Sequence, residues 1–88
     1  MDLARHLTGV RLLVLEILAS AGPCTREEVL REWERRRPGL GVGHRVRLPR
    51  MRDETLWRLV ILGWVAREGE TYFLTGDGQR VLSFAQSG

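Results

Sequence analysis

Apolar side chains recur at helical spacing near the start of the chain and predict a helix over residues 8–21. The positions of this stripe, three or four residues apart, are Val10, Leu13, Val14, Ile17, Leu18 and Ala21. Leu12 and Leu15 fall on another side, so we expect this helix to be buried on more than one face. Thr8 is suited to cap its first turn, and the Gly-Pro step at 22–23 ends it.

A second helix is predicted over residues 25–37, where polar residues mark its start. The sequence TREE is a capping box, in which the Thr25 hydroxyl accepts from the Glu28 amide and the Glu28 carboxylate accepts from the Thr25 amide. The apolar stripe of this helix is narrow and consists of Val29, Leu30 and Trp33. We therefore expect Trp33 in the core, and the Pro-Gly step at 38–39 ends the helix.

Residues 38–48 are predicted to form a long, mostly extended connection to the third helix. The segment is rich in glycine at first and then alternates in polarity. If it is extended, Arg45 and Arg47 point to one side. The residues that then point to the other side are His44, Val46 and Leu48.

The third helix is predicted to begin between Pro49 and Asp53 and to end at Gly63. Pro49 suits a first helical position, and Asp53 suits a cap. The expected core positions of this helix are Leu56, Leu59 and Val60.

Residues 64–75 predict a tight β-hairpin, because two short runs rich in aromatic and β-branched residues flank a Glu-Gly-Glu sequence. Trp64 begins the hairpin and is expected in the core. Thr75 is suited to cap a last short helix, whose apolar positions are Val81, Leu82 and Phe84. The predicted class is therefore mostly α with a small β-hairpin, in a single domain over residues 1–88.

Three helices followed by a hairpin and a short helix resemble the winged helix-turn-helix family, and residues 56–82 carry most of the resemblance. In bacterial members of the family, the third helix ends in a Leu-x-x-x-Gly step, and the second wing strand closes with Leu-Thr-x-x-Gly. The matching positions here are Leu59, Gly63, Trp64, Val65, Leu74, Thr75 and Gly78. The resemblance implies a winged helix with a three-helix core, a two-stranded wing and a short C-terminal helix. It also implies binding of double-stranded DNA, with the third helix in the major groove.

The link between the second and third helices is about eleven residues long in this prediction, whereas most winged helices have a shorter one. A link of this length is similar to that in the N-terminal modules of Mrr-type restriction endonucleases. This similarity implies DNA binding as well, with the link as an additional DNA-contacting arm.

Basic charge is concentrated in one segment. Residues 35–52 contain seven arginines and no acidic residue, whereas acidic residues outnumber arginines in the rest of the chain. All fourteen basic residues are arginine, which indicates codon usage in a GC-rich genome, and the absence of asparagine fits a thermophile. Two interpretations of the link arginines stay open: a phosphate-contacting surface, or a solvated loop. The absence of acidic residues favours phosphate contact.

Charge and resemblance together give a set of candidate DNA contacts: Arg45, Arg47, Arg50, Arg52, Glu54, Trp57, Arg58 and Arg67. The link arginines would neutralise phosphates, and Arg50 or Arg58 could donate two hydrogen bonds to a guanine. Glu54 could accept from a cytosine amino group. Arg67 is the expected wing contact, since the remaining wing tip is acidic. Trp57 could stack on bases, although a core or protein-interface position is the more common role for such a residue.

No catalytic or metal-binding constellation is recognisable in the sequence, so we expect neither enzymatic activity nor a cofactor. His6, His44 and Cys24 do not have metal-ligand spacing. One cysteine excludes an internal disulfide and fits a reducing cytoplasmic setting. The expected DNA binding places the protein at the nucleoid there. The apolar run at 10–19 is too short and too charged to cross a membrane.

The sequence therefore predicts a small transcriptional regulator that binds DNA. A homodimer is expected, because the first helix carries more apolar surface than a three-helix core needs. The alternative is a protein-binding winged helix, for instance a phage or plasmid adaptor that docks on a host polymerase or replication complex. Its contact residues would be Trp57 and Ile61.

Overall fold

The computed structural model describes residues 6–39 and 41–87, which form several helices and a small antiparallel sheet. The helices are α1 (Gly9–Ala21), α2 (Arg26–Arg36), α3 (Val42–Leu62) and α4 (Gly76–Ser87). The strands are β1 (Cys24–Thr25), β2 (Val65–Glu68) and β3 (Thr71–Leu74). The predicted class, mostly helical with a small hairpin, is confirmed.

Helix α1 is packed on several sides, in contact with α2, α3, α4 and β3. Thr8 caps it, because the Thr8 Oγ1 accepts from the Arg11 amide at 3.2 Å. Leu15, which lies outside the predicted stripe, is fully buried, whereas Ala21 is exposed and its predicted burial is wrong. Much of the apolar surface that suggested a homodimer is therefore covered within the chain.

Helix α2 begins with the predicted capping box. The Thr25 Oγ1 accepts from the Glu28 amide at 3.3 Å, and the Glu28 Oε1 accepts from the Thr25 amide at 3.0 Å. The hydrogen bond from the Thr25 backbone lowers the pKa of Glu28 below its ordinary value. Val29 and Trp33 are buried, which confirms the predicted core face of this helix.

Helix α3 is longer than predicted. The extended link over 38–48 is wrong, because α3 already begins at Val42 and continues through Pro49. The Arg45 amide donates to the Gly41 carbonyl at 3.0 Å, as in the first turn of an α-helix. The connection between α2 and α3 is therefore residues 37–41 only, and Asp53 lies inside the helix rather than at its cap.

The burial of Leu48 explains why this segment is helical. Leu48 is fully buried and lies four residues before Arg52 and eight before Leu56, on the same side of α3. Burial of a leucine side chain is worth about 1.5–3 kcal/mol, which offsets much of the cost of a proline inside the helix.

The hairpin is part of a three-stranded sheet of order β1-β3-β2. Val65 pairs with Leu74 and Glu68 pairs with Thr71, which confirms the predicted hairpin. The third strand, β1, pairs Cys24 with Tyr72 and was not predicted, because two residues are too few to show an alternating pattern. Burial raises the pKa of the Cys24 thiol, whose Sγ lies 3.2 Å from the Gly22 carbonyl oxygen.

The ends of the hairpin join where α3 stops and α4 begins. Gly63 ends α3 in the left-handed region, with φ of 81°. The Thr75 hydroxyl donates to the Gly63 carbonyl at 2.6 Å and accepts from the Gly78 amide at 3.0 Å. The Thr75 amide also donates to the Trp64 carbonyl at 3.1 Å. Thr75 therefore caps α4, as predicted, and holds both ends of the hairpin together.

The core of the described residues combines all these elements. Trp33 and Trp64 are both buried in it, as predicted. One predicted core position is wrong, because Val60 is exposed, and the apolar Phe84 of α4 is exposed as well. Val60 lines an open groove between α3, α2 and the hairpin, which leaves it partly accessible to solvent.

Candidate functional site

Helix α3 has a buried inner side and an exposed outer side. The inner positions are Leu48, Arg52, Leu56 and Leu59. The opposite side, which we call the outer face of α3, consists of Val46, Arg47, Arg50, Glu54, Trp57, Arg58 and Ile61. All of these residues are exposed. The outer face collects most of the candidate contacts from the sequence on one continuous surface.

The first turns of α3 project beyond the core. Residues 42–47 are exposed on every side of the helix, and Leu48 is the first buried residue. This part carries Arg45 and Arg47, neither of which has an ion-pair partner within residues 6–39 and 41–87. The two arginines that sequence analysis assigned to an extended link are therefore held on a helix. Since an α-helix rises about 1.5 Å per residue, they lie about 3 Å apart along its axis.

Arg50 lies on the outer face and has an acidic neighbour. Its Nε lies 3.1 Å from Glu54 Oε1, four residues further along the helix. Both side chains are largely exposed, at 86% and 68%. An exposed pair of this kind contributes about 0–1 kcal/mol, so Arg50 can exchange Glu54 for another anion at little cost.

Arg52 is not a surface residue, and its expected place outside the core is wrong. Only 7% of it is exposed. Its Nε donates to Asp53 Oδ1 at 2.9 Å, and its Nη1 donates to the Arg26 carbonyl at 3.4 Å. Asp53 also pairs with the Arg26 guanidinium at 3.4 Å. Arg52 and Asp53 therefore connect α3 to the start of α2, and Arg52 leaves the set of candidate contacts.

Trp57 stands on a ridge between two shallow grooves and is 61% exposed. One groove, of about 480 Å³, lies between the start of α1 and α3, with Val10 and Met51 among its lining residues. The other, of about 260 Å³, lies between α3, α2 and the hairpin. The Arg58 guanidinium lies over the Trp57 ring, 5.4 Å from its centroid. Trp57 is thus an exposed aromatic flanked by cations.

The hairpin presents one basic side chain beside an acidic tip. The Arg67 Nε donates to the Gly69 carbonyl at 2.7 Å, and its guanidinium lies over the Tyr72 ring, 5.7 Å from the centroid. Glu68 and Glu70 are exposed next to it. Arg67 is therefore held in place by the hairpin itself and remains exposed.

Two of the arginines at the end of α2 are engaged within the fold. Arg35 pairs with Glu32 at 2.7 Å, and this hydrogen bond lowers the pKa of Glu32. The Arg36 Nε lies 3.6 Å from Glu32, and its Nη2 donates to the Ser20 hydroxyl in α1. Arg37, which follows them as the C-cap residue of α2, is exposed.

Neither a metal cluster nor a membrane-spanning helix is found among the described residues. Within residues 6–39 and 41–87, no group of three or more histidine, cysteine, aspartate or glutamate side chains could hold a metal ion. In the same part of the chain, no helix combines the length and apolarity needed to cross a membrane.

Comparison with known protein families, curated proteins and solved structures finds no match to this chain. The function is therefore argued from the geometry of α3 and its surroundings. Sequence reasoning missed Val46 as part of the outer face, where it is 74% exposed. The signal was present in the sequence, since Val46, Arg50, Trp57 and Ile61 follow helical spacing once α3 begins at Val42.

Proposed function

We propose that this chain is a winged helix-turn-helix protein that binds double-stranded DNA and acts as a small transcriptional regulator. The proposal is supported by the order of α2, a five-residue connection at 37–41, α3 and an antiparallel hairpin. In this arrangement α3 is the helix that enters the major groove, and β2 and β3 form the wing.

The observation that carries the proposal is the projecting, arginine-bearing start of α3. Arg45, Arg47 and Arg50 are exposed there, beyond the residues that pack into the core. An α-helix with side chains is about 10–12 Å across, which fits a major groove about 12 Å wide. Cations on such a helix meet the phosphates on both walls of the groove.

Each remaining candidate has a role in this proposal. Arg45 and Arg47 neutralise phosphates, and Arg50 exchanges Glu54 for a phosphate or a guanine edge. Arg58 extends the basic surface along α3. Arg67 contacts the backbone from the wing, while the acidic tip stays away from the phosphates.

The test is binding to labelled duplex DNA, followed by fluorescence anisotropy over a range of salt concentrations. Five neutralised phosphates give a slope of log K against log salt of about −4.5. Replacing Arg45, Arg47 and Arg50 with alanine is expected to reduce the slope to about −1.8 and to leave the fold intact. Circular dichroism checks the fold.

A matched control separates a specific surface from net charge. Arg31→Ala, Arg35→Ala, Arg80→Ala removes the same charge from exposed positions on α2 and α4. This variant is expected to keep most of the affinity and a slope closer to that of the wild type. Equal losses in the two variants would show that net charge, and not α3, governs binding. Absence of binding at low salt would refute the proposal.

A second candidate function, the protein-binding adaptor, is supported by the exposed apolar side chains of the outer face. Trp57 is 61% and Ile61 is 55% exposed, one helical turn apart. If the pair Trp57→Ala, Ile61→Ala abolishes function in vivo while the arginine variant does not, the adaptor is favoured over the DNA-binding regulator.

A further inference from the structure

Trp57 and Ile61 are not explained by phosphate neutralisation. Most large apolar side chains of the described residues are buried, yet these two lie exposed on the outer face of α3. Arg50, Arg58 and Arg47 are exposed on the same face. The result is a small apolar patch bordered by Arg50, by Arg58 and by the Glu54 carboxylate that pairs with Arg50.

Such a patch fits a partner surface that is apolar in the middle and anionic at its edges. The major groove of thymine-containing DNA has this character. Each thymine places a C5-methyl group on the groove floor, while the phosphates line both walls. Cytosine and the purines offer no methyl group at that position, so an apolar contact distinguishes thymine from them.

The spacing of the two side chains also suits neighbouring base pairs. Residues four apart on a helix are separated by about 6 Å along its axis. Two base-pair steps along one strand cover about 6.8 Å. A helix lying along the groove can therefore set Trp57 and Ile61 over methyl groups that are about two steps apart. The Arg58 guanidinium lies over the Trp57 ring, 5.4 Å from its centroid, and favours this orientation of the ring.

We propose that Trp57 and Ile61 determine sequence preference by packing against thymine methyl groups in the major groove. This inference rests on the proposed DNA-binding function and adds the chemical feature that the protein distinguishes. The arginines supply affinity for any duplex, and the apolar pair selects duplexes that carry thymine at the matching positions.

The test compares thymine with uracil, which lacks only the methyl group. Duplexes that the wild-type protein selects from a random-sequence pool are remade with uracil in place of thymine, and both forms are titrated. The wild type is expected to lose about fourfold in affinity for each methyl group that it buries. The pair Trp57→Ala, Ile61→Ala is expected to bind both forms equally.

Phe84→Ala is the matched control, since Phe84 is an aromatic on α4 that is 55% exposed, close to the 61% of Trp57. It is expected to keep the full preference for thymine. Equal binding of both forms by the wild type would overturn the inference and leave the DNA-binding proposal standing. A full preference retained by the double variant would overturn it as well. Failure of the wild type to bind any duplex would refute both proposals.

Discussion

Gly78 has no room for a side chain, because its backbone lies against the end of the hairpin. A Cβ atom at this position would lie 2.0 Å from the Trp64 carbonyl oxygen and 3.0 Å from the Leu74 side chain. The Trp64 carbonyl is fixed by the Thr75 amide, so it cannot move away without breaking a hydrogen bond. The sequence shows a glycine at 78, but only the packed structure shows which atom excludes the methyl group.

We predict that Gly78→Ala lowers the free energy of unfolding by about 1–3 kcal/mol, the usual cost of overpacking. Gly76→Ala is the control in the same helix, because its Cβ meets nothing closer than Arg80 Nη1 at 3.9 Å. Denaturant unfolding measures both. An equal, small effect of the two substitutions would contradict the close contact.

Adjacent carboxylates on α3 provide a second residue-scale prediction. Asp53 is a partner of the buried Arg52 guanidinium, whereas Glu54 pairs with an exposed arginine. Asp53→Ala is expected to cost about 1.5–3 kcal/mol of unfolding free energy, because Arg52 loses a charged hydrogen bond in a buried setting. Glu54→Ala is expected to cost about 0.5 kcal/mol or less. Thermal unfolding of the two variants at one pH compares them, and equal costs would argue against a structural role for Arg52.

At the scale of elements, the features predicted best from the sequence were helix starts and stops that involve only residues close together in the chain. The Thr8 cap, the Thr25–Glu28 capping box and the stop at Gly63 all involve residues within one turn, and all are confirmed. The start of α3 was missed, because a short alternating run fits an extended strand as well as a helix. Long-range burial of Leu48 decides between them.

The candidate site was predictable to a similar degree. Arg47, Arg50, Glu54, Trp57 and Arg58 share one exposed face, and sequence analysis had singled out each of them. Arg52 was predicted to be exposed because the helix was expected to begin only at residues 49–53. Counted from Val42, Arg52 lies four residues after Leu48 and four before Leu56, on the inner side of the helix. DNA contacts by the residues of the outer face stay predictions.

Pro49 gives an element-scale test of where α3 begins. Inside a helix, proline lacks the N–H that would donate to the Arg45 carbonyl. Pro49→Ala is therefore expected to raise the free energy of unfolding by about 1–3 kcal/mol. Pro38→Ala, in the connection before α3, is the control and is expected to give no such gain. A neutral Pro49→Ala would place the helix start at or after residue 49. Denaturant unfolding measures both variants.

The capping box of α2 predicts a pH dependence. Because hydrogen bonding lowers the folded-state pKa of Glu28, the ionised carboxylate stabilises the fold above its unfolded-state pKa. That stability is lost as the pH falls through the folded-state pKa. Glu28→Gln keeps an acceptor for the Thr25 amide but cannot titrate. We expect its unfolding midpoint to fall less steeply with acid than that of the wild type. Parallel curves would exclude a contribution from Glu28.

At the scale of the whole molecule, charge is distributed unevenly along the described chain. The start of α3 carries exposed arginines, whereas the hairpin tip carries Glu68 and Glu70. A molecule with such a gradient approaches a polyanion with α3 foremost. Salt weakens this orientation, because charges are screened beyond a Debye length of about 10 Å at 0.1 M ionic strength. On the proposed DNA-binding function, the acidic tip would help to orient the molecule as it approaches DNA.

Pro49 also divides α3 into two parts of unequal local stability. The turns before it have one buried anchor, Leu48, whereas the turns after it pack through Arg52, Leu56 and Leu59. Amide hydrogen exchange should therefore be faster over residues 42–47 than over 52–62, through local opening of the first turns. On the proposed DNA-binding function, ordering these turns on a duplex would cost part of the binding free energy. On that proposal, the protein would therefore stay longer on duplexes whose contacts hold these turns in place.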